Sequence, residues 1–271
     1  MDRRLYPATA GIAHLSLEGQ TNLPLTAGQT MTLSVPLANL LRAPGGARER
    51  QLALGESFCV IDREQGHAFG FAEKDGYCGW LDLAHLGEWT QATHWVATPG
   101  THLYQGPRAQ SRDLAALSLG AQVRVIGQSG VWAETPIGFV PVCHLLPMGQ
   151  HRTDPVSVAE GFLNTPYLWG GNSRAGLDCS GLAQMAHLAC GIPFPGDSDL
   201  QEAVGLELPA DATLQRGDLL FWREHIALVV DGTRLIHANG HSMSVTYEQI
   251  SACIARIALS GGGPATHRRR L

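Results

Sequence analysis

A thiol, two imidazoles and a capping carboxylate stand at spacings that could carry nucleophilic catalysis. Cys179 follows Asp178 and opens the run C-S-G-L-A-Q-M-A-H-L-A-C, in which Leu182, Met185, Ala186 and Ala189 recur at helical spacing and Gly191 marks the stop. Asp178 is a natural N-cap, so Cys179 falls in the first turn of a predicted helix, where backbone N–H groups and the helix dipole lower a thiol pKa. Such a nucleophile needs a base. His225 opens the predicted strand H-I-A-L-V-V and His237 sits in R-L-I-H-A-N, with D-G-T between them. For antiparallel partners i and j the sum i + j is constant, so the two histidines share a face only if that sum is even, which needs an odd loop. A loop Asp231-Gly232-Thr233 pairs Val230 with Arg234 and puts His237 opposite Ala227, one same-face step from His225. A tighter Asp-Gly turn would put them on opposite faces. On the odd-loop reading His225 takes the Cys179 proton, and His237 holds the far ring nitrogen of His225 and fixes its tautomer. The bland alternative is a buried, inert thiol beside two packing histidines. No H-E-x-x-H and no Cys/His cluster at zinc spacing is present, so no metal is expected, and thiol–imidazole chemistry needs no organic cofactor.

These residues need a frame. Asp154-Pro155 forms a cap and first helical position, and V-S-V-A-E-G-F-L a short helix. Past Gly217 strands are expected throughout: D-L-L-F-W, H-I-A-L-V-V, R-L-I-H-A-N, M-S-V-T-Y and C-I-A-R-I-A-L. Helix first and sheet after make an α+β domain over 150–260, with G-G-G-P-A-T-H-R-R-R-L as a flexible tail at 261–271. Upstream the texture is a repeat. G-E-S-F-C-V-I from Gly55 aligns with G-A-Q-V-R-V-I from Gly120, and G-Y-C-G-W-L-D-L-A-H-L from Gly76 with the shorter G-F-V-P-V-C-H-L from Gly138. Each unit is too strand-rich for a helical repeat. The reading is two small all-β barrels, 1–90 with an N-terminal extension and 91–149, against one continuous β-sandwich over 30–147.

Composition excludes several classes. The 271 residues are 44% hydrophobic and 16% charged, enough to bury real cores, and 32 glycines with 15 prolines point to many turns. Net charge is −5, with Lys74 the single lysine, which argues against a nucleic-acid binder. No run of 18 apolar residues would span a membrane, and no apolar stretch after the N-terminus suggests a secretory signal. The six cysteines form no C-x-x-C pair and are read as reduced thiols of a cytoplasmic protein, the alternative being a three-disulfide scaffold.

T-P-Y-L-W-G-G-N-S-R-A-G-L-D-C-S-G-L, R-G-D-L-L-F-W, H-I-A-L-V-V-D and L-I-H-A-N-G together resemble the NlpC/P60 cysteine peptidases over about residues 150–260. The preceding repeats resemble bacterial SH3-like (SH3b) domains. This order is similar to that of the YkfC-type γ-D-glutamyl-L-diamino-acid endopeptidases, which process cell-wall peptides. The resemblance implies a papain-like α+β catalytic domain preceded by two SH3b barrels. It implies Cys179 as nucleophile, His225 as base, His237 as orienting residue and Tyr167 near the oxyanion site. Asp178, Ser180, Asp197 and Ser198 match positions that hold the γ-D-glutamyl unit, and Glu56 and Tyr77 match positions that bind a free L-alanine amine. The expected substrate is then a free murein peptide, L-Ala-γ-D-Glu-diaminopimelate, cut by a monomer during cell-wall recycling. An amidase or acyltransferase using the same three residues, a hydrolase of intact wall, and a non-enzymatic wall-binding module are the rivals.

Overall fold

The computed structural model describes residues 2–271, and the chain divides into two compact units, Met1–Gly149 and Gln150–Leu271. Among the described residues no helix is long and apolar enough to cross a membrane.

The N-terminal unit is built of antiparallel sheet around two cores. One sheet has seven strands in the order Arg48–Ala53, Leu37–Leu41, Cys78–Asp82, His67–Ala72, Ser57–Glu64, Gln29–Leu33 and Leu86–Glu88. Its core gathers Leu33, Leu40, Leu52, Phe58, Tyr77 and Leu81. The other core gathers Val96, Leu103, Leu117, Val123, Ala133 and Val140, under a five-stranded and a three-stranded sheet. The repeat seen in the sequence is real at the level of local structure. Leu83–His85 and Val142–His144 are both single 3₁₀ turns, and each leads through the shared His-Leu pair into a short last strand, Leu86–Glu88 and Leu145–Pro147. The expected closed barrels are corrected. No pairing among the described strands joins Arg48–Ala53 to Leu86–Glu88, and the second repeat is split between two sheets. Register shifts at Leu40/Leu41, Val60/Asp62 and Leu103/Tyr104 explain how these sheets cover a core while staying open, because an extra residue on one strand bends it and steepens the local twist. The two separate cores also replace the single-sandwich alternative.

The C-terminal unit places helices against a six-stranded antiparallel sheet. Helix α1 spans Pro155–Glu160, with Asp154 accepting the Val156 N–H, and α2 spans Cys179–Ala189, with Gly191 in the left-handed region just past its end. A short turn of helix, α3, covers Ser198–Gln201. The sheet runs Leu206–Glu207, His267–Arg270, Leu219–Trp222, His225–Val229, Arg234–Asn239, Ser244–Gln249.

Two expectations fail here. C-I-A-R-I-A-L is helix, α4, Ile250–Leu259, rather than strand. Its apolar residues Ile250, Cys253, Ile254 and Ile257 recur at helical spacing and bury one face on Leu220, Trp222, Ala227 and Val229. The tail is not a loose end either. His267–Arg270 inserts between two strands, and the Arg270 guanidinium grips the fully buried Asp218 through both carboxylate oxygens, at 2.7 and 2.8 Å. A buried carboxylate requires a partner, and the arginine-rich terminus supplies it.

Candidate active site

The start of α2 is anchored by one carboxylate. Asp178 Oδ1 accepts the Gly181 N–H at 2.6 Å and the Ser180 hydroxyl at 3.0 Å, while Oδ2 accepts the Gly170 N–H at 2.8 Å. The helix end is thereby stapled to the turn at Gly170-Gly171 so closely that a Cβ on Gly181 would overlap the Gly171 carbonyl oxygen. That approach explains the glycine two residues after the thiol. Cys179, the first helical residue, is buried, and its Sγ lies 3.8 Å from the Glu224 carbonyl oxygen. Glu224 occupies a tight turn in which Trp222 pairs with His225, and its φ of 60° puts a non-glycine residue in the left-handed region. Two constrained turns thus set the thiol beside Glu224, the residue that precedes the His225–Val229 strand.

The histidines meet as the odd loop requires. Leu228 pairs with Ile236 and Val229 with Leu235, and the Val230 N–H donates to the Arg234 carbonyl at 2.9 Å. Asp231 holds the loop by accepting the Thr233 and Arg234 N–H groups. On the shared face His225 Nε2 and His237 Nδ1 are 2.9 Å apart. His237 is 1% exposed, and burial pushes its pKa down to about 4. Burial, then the neighbouring His237 and Arg256 charges, push His225 down to about 3. Both rings are therefore neutral near pH 7, with one nitrogen of each bare to receive a proton.

Behind the pair lies a group that the sequence reading missed. Glu248 Oε2 is 3.2 Å from His237 Nε2, and both its oxygens are held by Arg256, at 2.8 and 2.6 Å. Arg256 holds the Glu248 carboxyl below its usual range and also lies 3.7 Å from Cys253 Sγ. The ligand atoms of His237, Glu248 and Cys253 fall within 4.8 Å of one another, a possible metal triad. The Arg256 guanidinium already supplies a cation to Glu248 there, so a metal ion would have to displace it. Glu248 could have been placed on the His237 face only by knowing the register across the 240–243 loop, in which His237 pairs with Thr246. Arg256 was out of reach once its segment was read as strand.

The remaining candidates divide between the units. Tyr167 is half-buried; burial first, then Cys179 and Asp178, push its hydroxyl pKa up. Ser180 is buried, and its carbonyl accepts Gln201 Nε2 at 3.0 Å, a second residue not anticipated. Gln201, fully buried, also donates to the Pro195 carbonyl at 2.8 Å and so ties the α2 start to the segment leading into Asp197 and Ser198. Asp197 has φ 59° and ψ 137°, a strained backbone for a residue with a side chain, and Ser198 beside it is half-buried. In the N-terminal unit Tyr77 is a core residue, 2% exposed. The Glu56 carboxylate accepts the Ala53 N–H at 2.8 Å and already holds an ammonium, that of Lys74, at 2.8 and 2.9 Å.

Both units resemble known proteins. The NlpC/P60 family model matches residues 164–257, and a bacterial dipeptidyl-peptidase Sh3 domain model matches residues 40–86. Dipeptidyl-peptidase 6 of Lysinibacillus sphaericus is 30% identical over 188 residues, covering 61% of this chain and 69% of that protein. A gamma-D-glutamyl-L-lysine dipeptidyl-peptidase of Bacillus subtilis is 29% identical over 217 residues, covering 70% and 72%. The crystal structure of an NlpC/P60 family protein from Bacillus cereus superposes with a TM-score of 0.75 at 20% identity, over 89% of this chain and 99% of that one, which shows a shared fold.

Proposed function

Since the chain belongs to the NlpC/P60 family and carries a bacterial SH3 domain ahead of that domain, we propose that it is a cysteine endopeptidase of peptidoglycan-derived peptides, cutting the bond between γ-D-glutamate and an L-diamino acid. The observation that carries the reading is the 2.9 Å contact between His225 and His237, on strands against which the Cys179 helix packs. A cysteine at a helix start, a neutral imidazole and a second imidazole behind it form a nucleophile, a base and an orienting residue.

In this mechanism the Cys179 sulfur attacks the γ-amide carbonyl as its proton passes to His225. His225 then protonates the leaving amine, and water releases the acyl-enzyme. Burial makes the Tyr167 hydroxyl a poor acid that stays protonated, suited to donating a hydrogen bond to a developing oxyanion. The α-carboxylate of γ-D-glutamate needs donors: Ser198 offers a hydroxyl, and Ser180 would serve by turning its own away from Asp178, with Asp178 and Asp197 shaping the two turns that carry them. A free alanine ammonium needs an acid, the role proposed for Glu56 with Tyr77. The substrate amine would then compete with Lys74 for that carboxylate. The proposal includes two SH3b domains, 1–90 and 91–149, a free murein peptide with N-terminal L-alanine as substrate, and a cytoplasmic recycling role.

Mass spectrometry of two parallel digests tests it. Free L-Ala-γ-D-Glu-diaminopimelate should be cleaved and its N-acetyl form spared, with all cleavage lost in Cys179→Ala. Equal cleavage of both would keep the peptidase and overturn the free-amine requirement in favour of intact wall. Cleavage of neither by folded protein would overturn the peptidase reading.

A further inference from the structure

Resting on the reading of Cys179, His225 and His237 as nucleophile, base and orienting residue, we infer that Glu248 is a positioning residue that sets the tautomers of both imidazoles and so leaves His225 Nδ1 bare to take the thiol proton.

Two neutral imidazoles in contact share a single proton, and the His225 Nε2···His237 Nδ1 contact of 2.9 Å allows two arrangements. In one, His225 carries its proton on Nε2 and donates it to His237 Nδ1. His237 must then carry its own proton on Nε2, and His225 Nδ1 holds a lone pair. In the other, His237 donates from Nδ1, leaving its Nε2 bare. His225 then carries N–H on Nδ1 and has no lone pair to offer a thiol. The pair alone does not choose between a competent and an incompetent base.

Glu248 chooses. Its Oε2 stands 3.2 Å from His237 Nε2, on a side chain wholly withdrawn from water. That nitrogen has no aligned hydrogen-bond partner, so the carboxylate is the polar group it meets. A bare nitrogen there would set a lone pair against an anion; an N–H sets a positive end against it. The small off-axis angle calls for a slight ring rotation, and the preference in sign is the same throughout. The other groups around His237 are His225, the Arg256 guanidinium, His241 and the Cys253 thiol, whose sulfur lies within 4.8 Å of the ring's ligand atom. Arg256 keeps Glu248 ionised and immobile through two charge-assisted hydrogen bonds, and α4, which carries Arg256 and Cys253, is docked by its apolar face under the same sheet.

The proton inventory closes. The Cys179 S–H bond breaks and an N–H bond forms at His225 Nδ1. The resulting imidazolium donates from Nε2 to His237 Nδ1, and His237 donates from Nε2 toward Glu248. No proton passes to Glu248; the one taken by His225 leaves with the departing amine.

Ring tautomers are read without turnover by long-range ¹H–¹⁵N correlation on the full chain with labelled histidine, in a Cys179→Ala background. The expected result near neutral pH is His225 and His237 both protonated on Nε2. With Cys179 restored, Glu248→Met should lower kcat on the free tripeptide about 10- to 100-fold, part of what general-base catalysis supplies, with KM within about twofold. In the same variant the His225 signals should move toward the Nδ1–H form. Glu248→Gln, whose amide oxygen still accepts, should recover part of kcat, and it carries the comparison if Glu248→Met does not fold. A Nδ1–H tautomer of His225 in the parent protein, or unchanged tautomers and kcat in the Glu248 variants, would overturn the inference. Full turnover by His225→Ala would instead remove the functional reading beneath it, an outcome the tautomer spectra do not share.

Discussion

Each unit of the molecule holds a carboxylate bound by a cation through both oxygens, and the two pairs have different consequences. In the N-terminal unit Glu56 takes Lys74 and the Ala53 N–H, and the cluster ends there, tightening one turn of a sheet. In the C-terminal unit Glu248 takes Arg256 in the same way, but one oxygen also faces His237, which touches His225. An ion pair that closes on itself contributes modestly to stability. The same pair placed behind a neutral imidazole governs where a proton resides. The difference lies in what occupies the next position: a backbone N–H, which cannot titrate, or a ring with two nitrogens and one proton.

The largest effect should confine the chemistry to the C-terminal unit. Cys179→Ala or His225→Ala should reduce turnover of the free tripeptide by at least about 10³-fold in folded protein; retention of turnover by both would break the contrast. Tyr167→Phe should cost less, about 10²-fold in kcat if its hydroxyl serves the oxyanion, and a change in KM alone would move it to substrate binding. Next comes stability. Arg270→Met strands the buried Asp218 carboxylate and should lower the urea-unfolding midpoint of the C-terminal unit. An unchanged midpoint would return the terminus to the status of a loose tail.

Acid should act on the same unit. His187 is pushed by burial to about 4, as His237 is, and His225 to about 3, whereas the unfolded residues protonate near 6.5. Between those values the unfolded chain binds more protons, so stability falls as pH falls, by up to about 1.4 kcal/mol per pH unit for each histidine. Hydrogen exchange at about pH 7.5 and about pH 5 should show protection lost first in 225–239; even loss across both units would contradict this. The smallest effect sharpens the opening contrast. Lys74→Met should cost the N-terminal unit about 1 kcal/mol or less, since the pair is partly solvated. A several-fold larger loss would make Glu56–Lys74 a structural keystone instead of a closed local pair.

Much of the site was legible before any fold was known. The cap and thiol at Asp178-Cys179, the stop at Gly191 and the loop Asp231-Gly232-Thr233 are local signals, written within a few residues of one another. The loop length sets the parity that brings His225 and His237 to one face, and the structure has that register. Where two local signals competed, the reading failed. C-I-A-R-I-A-L has enough β-branched residues for a strand, yet its apolar period is that of a helix once Ile250 is included. H-R-R-R reads as a solvated end because nothing nearby in sequence shows that Asp218, 52 residues upstream, is buried and needs a cation.

The chain's own order of residues therefore settles which groups can react and how neighbouring strands align them, because capping, helical period and loop parity act over a few residues. Whether a carboxylate is spent on a lysine or stands behind an imidazole is set by packing between distant segments. Glu248 reaches His237 through a strand register, and it stays charged through a helix that docks on the histidine face of the sheet. Burial then does the rest. Removing His225 and His237 from water keeps both rings neutral, and a neutral ring is the form that can accept the thiol proton.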